Sequence, residues 1–325
     1  MKEARKQFPA GKRLRFAIEC AVLNAFAWLV PKFPRRFVRA TGRTLGTLIY
    51  WLVPSARRIA LQNLDIVFGD TRSLADKRRI TRESLRNAGA TLLTLFWSSR
   101  LTRENISPLI DVDTASLERV RALNATGKPI IFVTMHTGDW ELIGIATAWH
   151  GFNNIAVVQE AMPNEALEAI FGRLRGVSGN RLVPNKSAAM GLLKTLKRGG
   201  CIAMLIDMNA GKKRGGDWLD FFGLPVFNHA AIGALARHTG AAIVGGIAYP
   251  LPDGRMRLEY TLDITSETTD EHTINQDCLR FCEGVIRRAP EAWLWSYKRW
   301  KNRPSREIGR YPAYSRYLEV WENKD

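Results

Sequence analysis

Two short apolar runs, IIFVTM at residues 130–135 and CIAMLI at residues 201–206, constrain this chain more than any other feature. Neither alternates with polar residues, which is the pattern of a strand covered on both faces. Turn signals precede them, Gly127-Lys128-Pro129 before the first and Gly199-Gly200 before the second. Segments of helical spacing lie around them, at 114–124, 165–174, 188–197, 228–239 and 275–289. Further strands are expected at 155–158 and 242–248, with 257–262 as a sheet-edge strand. This alternation predicts an α/β fold with a mostly parallel central sheet flanked by helices.

Ahead of the sheet the sequence changes character. Residues 16–30 read FAIECAVLNAFAWLV and residues 45–53 read LGTLIYWLV, with basic residues flanking both. The first 60 residues hold 13 Lys/Arg and only two acids, Glu3 and Glu19, in a chain of net charge +17. The first run is shorter than the about 20 residues that a membrane span needs, and Glu19 and Asn24 interrupt it. A signal peptide does not fit, because no small-residue cleavage site follows and a basic cluster does. Three forms stay open: a marginal transmembrane helix, an amphipathic helix in the interface, and an ordinary core helix. Trp28 and Trp51 beside basic residues favour membrane attachment. On charge alone the acidic partner is a membrane surface, a nucleic acid or an acidic protein.

The expected organisation is a basic, apolar membrane anchor at 1–55, a helical region at 56–105, an α/β domain at 106–310 and a tail at 311–325. A hydrophobic content of 46% and so few long apolar runs exclude a disordered tail protein and a polytopic transporter. Cys20, Cys201, Cys278 and Cys282 form no CxxC pair and have no His cluster beside them. They are read as reduced, buried thiols, and no zinc site is expected.

Ligands of open α/β sheets bind beyond the carboxyl ends of the strands. The run at 130–135 leads into His136-Thr137-Gly138-Asp139-Trp140-Glu141, and the run at 201–206 leads into Asp207. A His in a strand-to-helix turn, with a carboxylate to orient it, serves as a base for a hydroxyl at neutral pH. The helix that follows offers backbone N–H groups to an oxyanion or phosphate. H-x4-E alone is a weak pattern, and a helix-capping His fits it equally well. Arg173 and Arg175 end a helix as partners for phosphate or oxyanion, or as a solvated basic face. The chain has no G-x-S-x-G elbow, no P-loop and no strand-linked GxGxxG.

Five blocks in order carry a resemblance: ARRIALQNLDIVF from residue 56, His136 with Glu141, Gly172-Arg173-Leu174-Arg175, MGLLKTLKRGGCIAMLID ending at Asp207, and Ala289-Pro290-Glu291 with Trp295, Arg299 and Arg303-Pro304. In these the chain resembles the lipid A late acyltransferases, the lauroyl/myristoyl transferases within the lysophospholipid acyltransferase superfamily. The resemblance implies His136 as general base, Glu141 as the residue that orients it, and Arg173 and Asp207 completing the site. Arg175 replaces Arg173 if the register differs. It also implies acyl carrier protein as donor, a phosphorylated glycolipid as acceptor, and the cytoplasmic face of the bacterial inner membrane. No metal, no organic cofactor and no nucleic acid are implied. One alternative keeps the chemistry and uses acyl-CoA on a glycerolipid or glycolipid. A non-catalytic basic binding protein and a thioesterase are the others.

Overall fold

The two apolar runs become neighbouring strands at the centre of a seven-stranded sheet. The structure, a computed structural model, describes residues 9–319 apart from 153–154, 160–161, 163, 185–187, 212–214, 263 and 266–269. The outer ends of the expected anchor and tail, 1–8 and 320–325, lie outside the described residues.

The chain opens with helices α1 (Ala10–Leu29), α2 (Arg35–Leu52), α3 (Pro54–Phe68) and α4 (Leu74–Trp97), then the single turn α5 (Arg103–Ile106). Strands and helices then alternate through β1 (Ile110–Val112), α6 (Thr114–Ala125), β2 (Ile130–Thr134), α7 (Trp140–Trp149), β3 (Ala156–Gln159), α8 (Glu165–Arg175), β4 (Arg181–Pro184), α9 (Ala188–Lys197) and β5 (Cys201–Leu205). A hairpin, β6 (Gly216–Phe221) and β7 (Leu224–His229), precedes α10 (Ala231–Thr239), β8 (Ala242–Pro250), β9 (Met256–Thr261) and α11 (Glu271–Arg288).

The sheet order is β1-β9-β8-β2-β5-β3-β4, and every neighbouring pair is parallel except β8 with β9. Successive residues of β2 point to opposite faces. Ile131 and Val133 enter one core with Leu192, Leu279 and Trp293. Ile130 and Phe132 enter the other with Val120, Leu142 and Tyr260. Both faces are covered, so each such side chain contributes about 1.5–3 kcal/mol.

Two expectations need correction. The strand read as the sheet edge, 257–262, is covered by β1, which pairs Ile110 with Met256. The helix read at 228–239 starts at Ala231, because Asn228 and His229 pair with Asp217 and Gly216 across the hairpin.

The N-terminal helices follow a different logic. The buried residues Val38, Gly42, Gly46 and Tyr50 recur every four positions on α2, which packs on α4. A Cβ on Gly46 would lie 2.2 Å from the Leu85 carbonyl oxygen, so the helices meet at backbone distance and glycine is required. On the inner side of α1, Cys20, Leu23 and Ala27 pack with Ile170 and Leu174 of α8 and Leu95 and Phe96 of α4. Leu14, Ile18, Val22 and Phe26 form an outer stripe, 42–64% exposed. Phe37, Leu45, Leu48, Trp51 and Leu52 of α2 are exposed as well. Among the described residues one helix, Ala10–Lys32 counted through its final turn, is long and apolar enough to cross a membrane.

Candidate active site

Strand register builds the centre of the site. β2 and β5 pair from Ile130 opposite Cys201 to Thr134 opposite Leu205. Continued past the last pair, the same register sets His136 opposite Asp207. The His136 backbone N–H donates to Asp207 Oδ2 at 3.0 Å, and His136 Nδ1 lies 2.8 Å from Oδ1. Trp293 Nε1 donates to Oδ2 at 2.8 Å.

Asp207 is 2% exposed. Burial pushes its carboxyl up, but the charge and hydrogen bonds of His136 and the Trp293 donor hold it down at about 2. It is therefore ionised at neutral pH and only accepts. His136 Nδ1 carries the proton, and Nε2 is the basic nitrogen. Burial works to lower the His136 pKa. The Asp207 charge and hydrogen bond and the Glu141 charge outweigh it, and the pKa stands above 6.5 despite the Arg175 charge.

The turn after His136 is held on all sides. Leu294 N–H donates to His136 O, Gly138 N–H to Ala292 O, and Thr137 N–H to Met135 O. Gly138 has φ +55°, and a Cβ there would lie 2.9 Å from the Ala248 carbonyl oxygen. The backbone N–H groups of His136, Thr137 and Gly138 are thus committed within the turn and its neighbours.

Asp139 is 2% exposed and caps α7. Its carboxylate accepts from Leu142 N–H at 3.2 Å and from Thr94 Oγ1 at 3.1 Å. Arg35 and Arg39 approach the same carboxylate at 3.4 and 3.9 Å. Burial raises the Asp139 pKa and the two arginines only partly offset it. This residue bolts the reactive turn to α2 and α4. The sequence signal was an Asp three residues after the His, in the N-cap position.

Glu141 faces Arg175. Arg175 Nε lies 2.9 Å from Oε2 and Nη2 lies 2.6 Å from Oε1, a two-pronged contact. Arg175 Nη1 reaches Gln159 Oε1 at 3.4 Å. A guanidinium has five N–H donors, so two remain for a ligand. Arg173 sits about 200° around α8 from Arg175. It is exposed, and its Nη2 lies 3.3 Å from Asn24 Oδ1 of α1.

The structure therefore brings His136, Asp207, Glu141 and Arg175 together and leaves Arg173 outside. Arg173, expected to complete the site with Asp207, instead contacts Asn24. Asp207, rather than Glu141, holds the His136 ring, and Glu141 reaches it through charge alone. Trp293 escaped the sequence reading, although it stands two residues before the noted Trp295. Arg299 is fully buried, 4.8 Å from the Phe221 ring, and its three side-chain nitrogens have no hydrogen-bond partner among the described residues. Among the described residues no cluster of His, Cys, Asp or Glu is fit for a metal ion. An oriented imidazole beside a guanidinium with spare donors is equipped to deprotonate a hydroxyl and stabilise an oxyanion.

The sequence itself matches the model of the bacterial lipid A biosynthesis acyltransferases over residues 9–302. It is 23% identical over 290 residues to the lipid A biosynthesis palmitoleoyltransferase of Escherichia coli (strain K12), covering 87% of this chain and 91% of that protein. It is 24% identical over 294 residues to the lipid A biosynthesis lauroyltransferase of the same strain, covering 87% and 92%. A Shigella flexneri lipid A biosynthesis acyltransferase is 23% identical over 290 residues, covering 87% and 91%. The matched span takes in α1, the His136 turn, Arg175, Asp207 and Trp293, and the chain belongs to the bacterial lipid A biosynthesis acyltransferase family and is an acyltransferase.

Proposed function

We propose that this protein moves a fatty acyl chain from the thioester of acyl carrier protein to a hydroxyl of a phosphorylated lipid A precursor, at the cytoplasmic face of the bacterial inner membrane. The observation that carries the chemistry is the 2.8 Å contact between His136 Nδ1 and Asp207. It fixes the tautomer and turns Nε2 into the base, as an aspartate does for the histidine of a catalytic triad.

His136 Nε2 takes the proton of the acceptor hydroxyl as the oxygen attacks the thioester carbonyl. The tetrahedral intermediate places its negative oxygen at the free donors of Arg175. Collapse breaks the carbon–sulfur bond, and the departing sulfur receives the proton from Nε2. An ester and a thiol result, with no net proton change. The base is worth roughly 10²–10⁴-fold and one oxyanion donor about 10²–10³-fold.

The net charge of +17 supports an acidic protein as donor and an anionic membrane as support. The outer apolar stripe of α1, with the inner side packed on α8 and α4, supports a helix lying in the interface. The test is transfer assayed with acyl carrier protein and with CoA as carriers, on a phosphorylated glycolipid and on a lysolipid. Acyl transfer from the protein carrier to the glycolipid, lost in His136→Ala, is the expected result. Transfer from CoA alone, or full activity of His136→Ala, would sink the donor or the base respectively.

A further inference from the structure

Beside its buried stripe, α2 carries Arg35, Arg39 and Arg43, again four residues apart, and Arg36 next to them. These four arginines line a cleft of about 810 Å³. The β8–β9 turn lines it too, through Pro250, Leu251, Pro252 and Arg255. Ala292, which accepts from Gly138 N–H in the reactive turn, is a further lining residue. A volume of this size falls in the range of about 300–1,000 Å³ typical of small-ligand sites.

The cations of this cleft outnumber its anions. Arg43 pairs with Glu83 at 2.7 Å and Arg255 with Asp253 at 2.7 Å, while Glu291 is taken by Arg79 at 2.7 Å. Arg35 and Arg39 share the single carboxylate of Asp139, which is also committed to Leu142 and Thr94. Arg36 is exposed and has no ion-pair partner among the described residues. Two positive charges are left over. Burial lowers the pKa values of Arg35 and Arg39, Asp139 raises them, and the next arginine along lowers them again. Guanidinium groups in such a row match the oxygens of a phosphate. The apolar side chains of Phe37, Leu48 and Leu52 are exposed on the same helix, so a helix seated in the interface holds its arginines near headgroup depth.

We propose that this cleft binds the phosphate of the acceptor headgroup, with Arg36 and Arg39 as its principal contacts. The proposal rests on the reading of the acceptor as a phosphorylated glycolipid.

The experiment uses the full chain in detergent and measures binding of a phosphorylated disaccharide without acyl chains, against its dephosphorylated form. The variants are Arg36→Ala, at an exposed position, and Arg39→Lys, which keeps the charge near Asp139. Wild type is expected to prefer the phosphorylated sugar by about tenfold or more. Arg36→Ala should cut that preference by at least about threefold and raise KM for the acceptor, with kcat within about twofold. No phosphate preference in wild type, or an unaltered one in both variants, overturns the proposal. So does a loss confined to binding of vesicles containing phosphatidylglycerol, because the phosphate read there is that of a bilayer lipid. Phosphate-dependent binding without acyl transfer would sink the proposed reaction and leave the cleft standing. Acyl transfer indifferent to phosphate would do the reverse.

Discussion

At the carboxyl ends of β2 and β5 the protein hides polar groups, whereas on α1 and α2 it displays apolar ones. Asp139 and Asp207 are each 2% exposed, while Trp28 is 66% and Leu52 is 74% exposed. A buried carboxylate is tolerable only when its oxygens find donors, and both of these do. An exposed apolar stripe is tolerable only when something other than water covers it. The two regions are inversions of each other, and together they suit a reaction whose chemistry is polar and whose reactants carry lipid chains.

The contrast breaks most sharply at His136. His136→Ala should lower kcat by about 10²–10⁴-fold, with a fall in melting temperature from the loss of Asp207's buried partner that leaves the protein folded at assay temperature. Retained activity would reduce the buried polar region to packing. Asp207→Asn should cost about 10²-fold or more, because the ring loses the acceptor that sets its tautomer. The pH profile sharpens this. The His136 pKa is raised above 6.5, so the acid limb of kcat/KM lies above that value in wild type. Without the Asp207 charge the limb moves to lower pH, and a limb that stays in place counts against the pair.

The same carboxyl links to stability. Its folded pKa of about 2 lies below the ordinary 3.8, so its contribution is present above 3.8 and is lost as pH falls through about 2. That contribution is on the order of 2 kcal/mol. Acid unfolding of Asp207→Asn should lack it, as urea titrations over that range would show.

A smaller effect separates the two arginines of α8. Arg175→Lys should lower turnover by about tenfold or more, since lysine cannot grip Glu141 with two prongs and keep donors free. Arg173→Lys should stay within about twofold. The reverse order would mean that the functional face of α8 is the one turned to α1. The smallest catalytic effect belongs to the apolar side. Ile18→Ser with Val22→Ser should release protein from membranes on sedimentation, each side chain forfeiting up to about 1.5–3 kcal/mol of burial. Activity on detergent-dispersed acceptor should remain within about twofold. Undiminished sedimentation would assign the stripe to some other cover.

That His136 and Asp207 end neighbouring strands was legible because strand ends are legible, whereas the choice of Asp207 over Glu141 as the ring's partner was not. IIFVTM and CIAMLI read as buried strands, and parallel pairing in register brings the residues beyond them together. Helix phase was not legible at the same precision. In Arg173-Leu174-Arg175 the two arginines face opposite ways, and only the packing of Leu174 and Ile170 decides which one turns inward. β1, three residues long, has too few positions to show a period. The helix α2 contains Gly42, Gly46 and several β-branched residues, a composition that argues against a helix. It forms because those glycines let it settle against α4, a tertiary gain that local propensity does not record. Trp293 went unseen for a related reason, since its partner Asp207 lies 86 residues earlier.

That separation has a consequence for how the protein comes into being. A chain still under synthesis acquires α1 first, His136 well afterwards, and the donor that clamps Asp207 only when Trp293 emerges. On the proposed reading of α1, settlement on a bilayer precedes chemical competence, and a polypeptide halted short of Trp293 would be a lodger on the membrane whose Asp207 lacks one of its donors. Ribosome-arrested chains of graded length, sedimented with vesicles and assayed for acyl transfer, should show attachment at short lengths and turnover only once that tryptophan is free to fold. Simultaneous onset of the two would dismiss this order of events.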